Sequence, residues 1–177
     1  LRFLMDRYPK VRWGAIVDNL ATMTTLGKIF ADAPRKLSVY VDLDCGHHRT
    51  GICPGEEAKE LYKAITHAPG LEAGGLHAYD GHNHEPDLKK RTKLCDEDFA
   101  PVLAFRDDLE SSGLMVPELI AGGTPTFPIH AKYADRTCSP GTTTLWDFGY
   151  MDGLPDMDFE YAAVLFSRVI SRPGSQR

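Results

Sequence analysis

The sequence predicts an α/β fold built on a mainly parallel sheet. Short apolar runs typical of strands begin near residues 11, 37, 71, 116 and 143, and most of the gaps between them have room for a helix. Parallel strands need such crossover connections, so this alternation favours repeated βα units. Five strands do not close a barrel. The pattern therefore fits either a doubly wound sheet or part of an eight-stranded TIM-type barrel.

The composition is that of an ordinary globular domain. The chain has 177 residues, of which 42% are hydrophobic and 25% charged, and its net charge is -5. That length is enough for one domain with a core. An acidic chain without a basic stripe argues against a nucleic-acid partner, and no apolar run has the roughly 18 residues of a membrane span. The four cysteines show no CxxC spacing, so we expect reduced thiols in a cytoplasmic protein.

The chain opens with the end of a helix and then a first βα unit. Residues 1–8 have the pattern of a last helical turn, and residues 11–17 form a short apolar run typical of a strand. Asp18 or Asn19 is expected to cap the next helix, because their side chains accept backbone N–H groups at a helix start. Apolar residues then recur at helical spacing as far as Phe30.

Two further βα units follow. Residues 37–44 alternate apolar and polar side chains, as expected of a strand, and residues 56–68 carry the apolar stripe of an amphipathic helix. Residues 71–78 predict a third strand. Pro101 is tolerated only in the first turn of a helix, so we place the next helix at residues 98–112, with its cap at the first of these residues.

The last third of the chain predicts two more strands and then a change of structure. Residues 116–121 and 143–148 have the pattern of the fourth and fifth strands, and residues 164–170 that of a further one. The chain begins without a helix cap or an initiator methionine and stops soon after that strand. We therefore expect it to be an internal piece of a longer protein.

Polar clusters follow the predicted strands directly. They comprise residues 44–49 (DCGHHR), residues 77–84, residues 122–126, and the pair Asp147 and Tyr150. In a parallel sheet the carboxyl ends of the strands meet at one edge, where ligands bind. We therefore expect these clusters to converge on one site; the alternative is a set of ordinary solvated loops.

Residues 122–126, GGTPT, have the composition of an anion-binding turn. Glycine lets the backbone approach an anion closely and point N–H groups at it, and threonine adds hydroxyl donors. We interpret the segment as a phosphate site, with a plain turn punctuated by glycine and proline as the alternative.

A metal site is a second interpretation of the histidines. His77, His82 and His84 are ligand types that zinc prefers, and several neighbours could join them. Those neighbours are Asp42, Asp44, His47, His48 and Asp80. A barrel hydrolase with a metal-activated water uses such groups. Their spacing matches no ligand motif, however, and loop histidines are more often solvated.

Four segments in order resemble the D-threonine aldolase and D-serine dehydratase family: VDLDCGHHRTG, GLHAYDGHNH, IAGGTPTFPIHA and CSPGTTTLWDFGY. That family is grouped with alanine racemase among the fold-type III pyridoxal-phosphate enzymes, and the similarity covers residues 12–173. The resemblance implies an eight-stranded α/β barrel followed by a β domain. Residues 1–158 would form the second half of the barrel, and residues 159–177 the start of the β domain, with a first strand at 159–172.

The resemblance also implies roles for individual residues. Arg49 matches an arginine that bonds the phenolic oxygen of pyridoxal phosphate, where a fixed cation favours the phenolate. Tyr79 matches a tyrosine beside the cofactor ring, and His77 is a further catalytic candidate on the same loop. The remaining cofactor contacts, at or near the phosphate, are matched by Gly122, Gly123, Thr124 and Tyr150.

The implied reaction is cleavage of a D-3-hydroxy amino acid to glycine and an aldehyde, as in D-threonine aldolase. The alternative is a D-serine dehydratase, which forms pyruvate and ammonia. An amino-acid racemase, a metal-dependent barrel hydrolase and a non-catalytic pyridoxal-phosphate-binding protein also remain open. The resemblance implies a cofactor lysine and a divalent metal (Mn, Mg or Zn), both held by residues outside this chain, and a homodimer.

Overall fold

The computed structural model describes residues 1–175 and contains one sheet of five parallel strands. Neighbours in the sequence are also neighbours in the sheet, in the order β1-β2-β3-β4-β5. A doubly wound sheet reverses its strand order at a switch point, whereas a barrel adds each strand beside the last. The α/β class and the partial barrel are therefore confirmed.

The strands are β1 (Gly14–Val17), β2 (Leu37–Leu43), β3 (Leu71–Ala78), β4 (Leu119–Ala121) and β5 (Thr137–Cys138). The helices are α1 (Arg2–Arg7), α2 (Leu20–Phe30), α3 (Glu56–His67), α4 (Leu88–Ser111), α5 (Phe127–His130) and α6 (Phe148–Gly153). A 3₁₀ turn spans Thr142–Thr144. No helix among residues 1–175 is long and apolar enough to cross a membrane.

The two faces of β2 differ in chemistry. Val39, Val41 and Leu43 are buried in the main core, which includes the apolar residues of α3. The alternate positions point to the opposite, inner face of the curved sheet. There the hydroxyl of Tyr40 donates to Glu118 Oε2 at 2.6 Å. The period-two pattern of the sequence therefore separates a dry outer layer from a polar inner face.

The N-terminal half matches the prediction closely. The side chain of Asn19, not Asp18, caps α2 by accepting the N–H of Thr22 at 2.8 Å. The bounds of β3 are those predicted, and β1 and β4 are shorter than predicted. In β3, Gly75 has φ +135°, and a Cβ there would collide with the backbone of Glu118. Only glycine suits that position.

The predicted start of α4 at Asp98 is wrong. The helix begins after Asp87, whose side chain accepts a backbone N–H of its first turn. Pro101 lies inside the helix and removes one backbone hydrogen bond, a cost that burial of the surrounding apolar side chains offsets. The early turns bury Arg91 and Cys95. Because these residues are not an apolar stripe, the sequence pattern did not reveal the first half of the helix.

The predicted fifth strand at residues 143–148 is also wrong. β5 lies earlier, and this segment contains a 3₁₀ turn followed by α6. Trp146 has φ 42°, a left-handed conformation that a strand does not contain. Asp147 then caps α6 through its side chain. The tryptophan is fully buried in a second, small apolar cluster, so burial and not strand pairing explains the apolar pattern.

The strand predicted at residues 164–170 is absent from the described part of the chain. Residues 159–171 contain no helix or strand. Phe159 is partly buried against the cluster around Trp146, and the apolar side chains from Tyr161 onward are exposed. A strand exists only when its backbone pairs with a neighbouring strand, and the structure of residues 1–175 places no strand beside residues 164–170. The assignment of residues 159–177 to a β domain stays a prediction, and residues 176 and 177 lie outside the described part.

Candidate active site

The carboxyl ends of β2, β3 and β4 bring three of the predicted polar clusters to one edge of the sheet. Asp42 of β2 is in register with His77 of β3, which is in register with Ile120 of β4. The loops that follow are residues 44–49, 79–84 and 122–126. Their convergence follows from the parallel topology.

Arg49 and Tyr79 lie together at this edge. The guanidinium carbon of Arg49 is 4.8 Å from the centroid of the Tyr79 ring, and the arginine is exposed. The ring of His47 lies 5.4 Å from that of Tyr79. Tyr79 packs closely on glycine: a Cβ on Gly123 would lie 2.8 Å from its ring, and a Cβ on Gly81 would collide with its hydroxyl end. The site thus presents an accessible cation above an aromatic ring that glycine backbone supports.

Asp44 holds the loop that carries Arg49. Its Oδ1 accepts the N–H groups of Gly46 and His48, each at 3.0 Å, and its Oδ2 lies 2.8 Å from His48 Nδ1. Burial alone would raise the pKa of Asp44, but these hydrogen bonds outweigh it and lower the pKa to about 2. The ionised carboxylate of Asp44 therefore holds the loop in place.

The depressed pKa of Asp44 predicts a specific loss of stability in acid. The ionised carboxylate contributes to folding above its unfolded pKa of about 4, and this contribution is lost as the pH falls toward 2. Between pH 5 and pH 2 the free energy of unfolding should fall by about 2 kcal/mol more than in Asp44→Asn, measured by denaturant titration. Asp152→Asn, which alters an exposed carboxylate of α6, should retain the wild-type pH dependence. Parallel curves for wild type and Asp44→Asn would contradict this role.

His77 is oriented by Asp42, a residue that is also among the predicted metal ligands. Its Nδ1 lies 2.6 Å from Oδ1 of Asp42, which is only 4% exposed. The carboxylate accepts the proton of Nδ1, so Nε2 is left as the basic atom. In-register positions on neighbouring parallel strands are the signal that identifies such a pair from sequence.

The histidines proposed as metal ligands do not gather at one point. His77 faces Asp42, His82 Nε2 lies 3.0 Å from an oxygen of Asp98, and His84 is exposed with its ring 6.2 Å from that of Tyr150. The three histidines predicted as zinc ligands therefore each contact a different side chain and do not form one site.

The sequence interpretation missed a buried cluster. It lies beneath residues 122–126, the glycine turn. Asp80 and His130 are both fully buried, with His130 Nε2 2.8 Å from Asp80 Oδ2. Asp80 Oδ1 accepts the N–H of Gly123 at 3.0 Å and the hydroxyl of Thr126. Burial would raise the pKa of Asp80, but the hydrogen bonds from His130, Thr126 and Gly123 hold it below its usual value. His130 belongs to the segment IAGGTPTFPIHA, but nothing in its spacing marks it as the partner of Asp80.

The glycine turn is hydrogen-bonded to the buried Asp80 and to the segment before α6. The N–H of Gly123 points inward to Asp80, not outward to solvent. Thr124 is buried, and its Oγ1 accepts the N–H of Thr142 at 3.1 Å. Tyr150 lies in α6 against Trp146, with ring centroids 5.6 Å apart. The turn is a packed element that joins the loop after β3 to the segment before α6.

The family follows from the sequence match. Residues 5–145 match the profile described as alanine racemase, N-terminal domain. This chain belongs to that family. The predicted relation to the fold-type III pyridoxal-phosphate enzymes is confirmed.

Relatives of this alanine racemase-type chain include two kinds of aldolase. The crystal structure of D-threonine aldolase from Filomicrobium marinum superimposes with a TM-score of 0.81 at 25% identity, over 91% of this chain and 45% of that one. A 3-hydroxy-D-aspartate aldolase of Paracoccus denitrificans (strain Pd 1222) is 32% identical over 108 residues, 60% of this chain and 28% of the relative. A D-threonine aldolase of Arthrobacter sp is 22% identical over 165 residues, 91% of this chain and 44% of the relative. The chain thus spans less than half the length of each.

The side chains at the edge of this alanine racemase-type sheet fit pyridoxal phosphate. The exposed guanidinium of Arg49 is suited to a phenolate oxygen, and its neighbour Tyr79 offers a flat aromatic face. Gly123 has no side chain where a Cβ would lie 2.8 Å from the Tyr79 ring, so the turn and the ring pack directly against each other.

Proposed function

We propose that the protein containing this chain is a pyridoxal-phosphate-dependent lyase that acts on D-3-hydroxy amino acids, of the D-threonine aldolase type. The family membership and the aldolase relatives support the reaction class. The observation that carries the proposal is the exposed cation of Arg49 over the ring of Tyr79, beside a glycine turn, at the ligand-binding edge of the sheet.

Each residue of the site has a proposed role toward the cofactor. Arg49 holds the phenolic oxygen in its ionised form through charge-assisted hydrogen bonds. Tyr79 supports the ring. The phosphate end lies at the turn of Gly122, Gly123 and Thr124, with Tyr150 beside it. Since the N–H groups of Gly122 and Gly123 donate to the carbonyl of Ala78 and to Asp80, we assign the two glycines the role of leaving space at the turn.

The chemistry requires a proton acceptor, and His77 is our candidate within this chain. Pyridoxal phosphate, when bound, supplies the electron sink for the bond that breaks at Cα. Asp42 keeps the proton of His77 on Nδ1, so Nε2 is the atom that can take up a proton. We further propose that the cofactor lysine, a divalent metal and a second subunit are supplied from outside residues 1–177.

The natural protein provides the direct test. Borohydride reduction followed by intact-mass measurement should show one reduced pyridoxyl phosphate per chain. With D-threonine as substrate, glycine and acetaldehyde should form, and L-threonine should be inert. Pyruvate and ammonia from D-serine would instead identify the dehydratase alternative. An unmodified mass after reduction would overturn the proposal as a whole.

A further inference from the structure

Three residues beneath the glycine turn form a hydrogen-bonded network. The proposed function gives this network no role. Arg136 Nη1 lies 2.8 Å from Nδ1 of His130, and His130 Nε2 lies 2.8 Å from Oδ2 of Asp80. Asp80 and His130 are fully buried, and Arg136 is partly buried. This series of hydrogen bonds connects Arg136, just before β5, through His130 of α5 to Asp80 in the loop after β3.

The partners of His130 define its tautomer. A guanidinium can only donate hydrogen bonds, so Nδ1 of His130 must carry a lone pair that accepts from Arg136. Nε2 therefore carries the proton and donates a hydrogen bond to Oδ2 of Asp80. The imidazole of His130 thus links the Arg136 cation to the buried carboxylate through two hydrogen bonds.

Aromatic side chains pack against both His130 and Arg136. Its ring packs 4.6 Å from the ring of Phe99 in α4. The Arg136 guanidinium carbon lies 3.8 Å from the Tyr133 ring centroid and 4.9 Å from that of Phe99. Contacts with two aromatic rings restrict the positions that the Arg136 guanidinium can take. These contacts hold the donor of the first hydrogen bond beside His130.

A metal does not explain this cluster. Asp80, Cys95 and His130 do have ligand atoms within 4.8 Å of one another. A metal-bound histidine usually donates its second N–H to an acceptor, whereas Nδ1 of His130 faces the donors of Arg136. Burial and the charge of Asp80 also raise the pKa of Cys95 and so disfavour the thiolate that a metal needs.

Asp80, the last residue of this network, hydrogen-bonds directly to the glycine turn. Asp80 accepts both the N–H of Gly123 and the hydroxyl of Thr126, two positions that enclose Thr124. Asp80 also follows Tyr79, whose ring rests on Gly123. The carboxylate of Asp80 therefore helps to fix the position of the turn relative to the Tyr79 ring.

We propose that Arg136, His130 and Asp80 are positioning residues that fix the turn at residues 122–126 in the geometry that binds the cofactor's phosphate. The inference rests on the proposed function, because it assumes that this turn receives the phosphate. The proposal has a specific consequence. Arg136, His130 and Asp80 should determine the affinity of the site for the phosphate group and not its affinity for the pyridoxal ring.

The test compares two ligands on the full-length apoprotein. The equilibrium dissociation constants of pyridoxal phosphate and of pyridoxal, which lacks the phosphate, are measured for wild type and Arg136→Gln. We expect pyridoxal phosphate to bind about ten-fold more weakly to the variant, while the affinity for pyridoxal changes less than about two-fold. The ³¹P resonance of the bound cofactor should also shift. Arg136→Lys, which keeps a cationic donor, should recover most of the lost affinity.

Arg106→Gln is the matched control, because Arg106 pairs with Asp135 at 2.7 Å on the surface of the same region and does not contact His130. It should bind both ligands as the wild type does. Equal weakening of both ligands by Arg136→Gln, or no weakening, would overturn the positioning role while the proposed function stands. A wild-type protein that binds pyridoxal as tightly as pyridoxal phosphate would instead refute the phosphate site itself. His130→Gln, at the buried centre of the Arg136–His130–Asp80 network, should show the same phosphate-specific loss.

Discussion

Replacement of Arg49 by alanine in the full-length protein is expected to abolish most of the cofactor-dependent activity. The guanidinium is exposed and lies over Tyr79, so its removal leaves the fold intact and takes away the fixed cation of the site. Loss of a charge-assisted hydrogen bond costs about 1.5–3 kcal/mol, or roughly ten- to a hundred-fold in cofactor affinity. We expect a loss of kcat/KM of roughly a hundred-fold or more, because the same cation would stabilise charge as the reaction proceeds.

The visible absorption of the bound cofactor is the first measurement, followed by steady-state kinetics. Arg49→Lys retains a charge without the bidentate geometry and should fall between wild type and Arg49→Ala. Arg12→Ala is the control, since Arg12 is also exposed but pairs with Glu118 near the amino end of β1. It should leave the spectrum unchanged. A wild-type spectrum and activity in Arg49→Ala would remove this residue from the site.

The central strands and the convergence of their loops were predictable from sequence. Period-two alternation defines β2 because one of its faces packs against helices. Once the strands are parallel, the loops that carry Arg49 and Tyr79 must share an edge. These inferences need only local patterns and one rule of topology.

The errors arose where tertiary contacts override local patterns. The early part of α4 buries Arg91 against Asp156, a partner far away in the sequence, so no apolar stripe marks that half of the helix. Trp146 occupies a left-handed conformation in a second cluster, although its neighbours resemble a strand. The pairing of Asp80 with His130, 50 residues apart, likewise depends on the folded arrangement and not on spacing.

Gly123→Ala is expected to inactivate the site through a single methyl group. The backbone of Gly123 is not in the left-handed region, so alanine introduces no conformational strain. Its Cβ, however, would lie 2.8 Å from the Tyr79 ring and 3.0 Å from the Cα of Gly81. The backbone of Gly81 cannot yield as a flexible side chain would, so the ring and the turn must separate.

That displacement should affect catalysis far more than folding. Overpacking of this kind costs about 1–3 kcal/mol of stability, whereas a shift of about 1 Å in a positioning element can lower the rate roughly a hundred-fold. We expect kcat/KM to fall about a hundred-fold, with pyridoxal phosphate bound more weakly and the thermal unfolding midpoint lowered by only a few degrees.

Gly141→Ala separates the steric effect from the general effect of replacing glycine near the turn. Gly141 is exposed, has φ -89°, and has nothing within 4 Å of its would-be Cβ. It should therefore retain wild-type kinetics and cofactor affinity. Equal kinetics for Gly123→Ala and wild type would mean that Tyr79 and the turn can move apart without consequence. In that case the close contact between them would be packing alone, and the cofactor would have to bind elsewhere along the sheet edge.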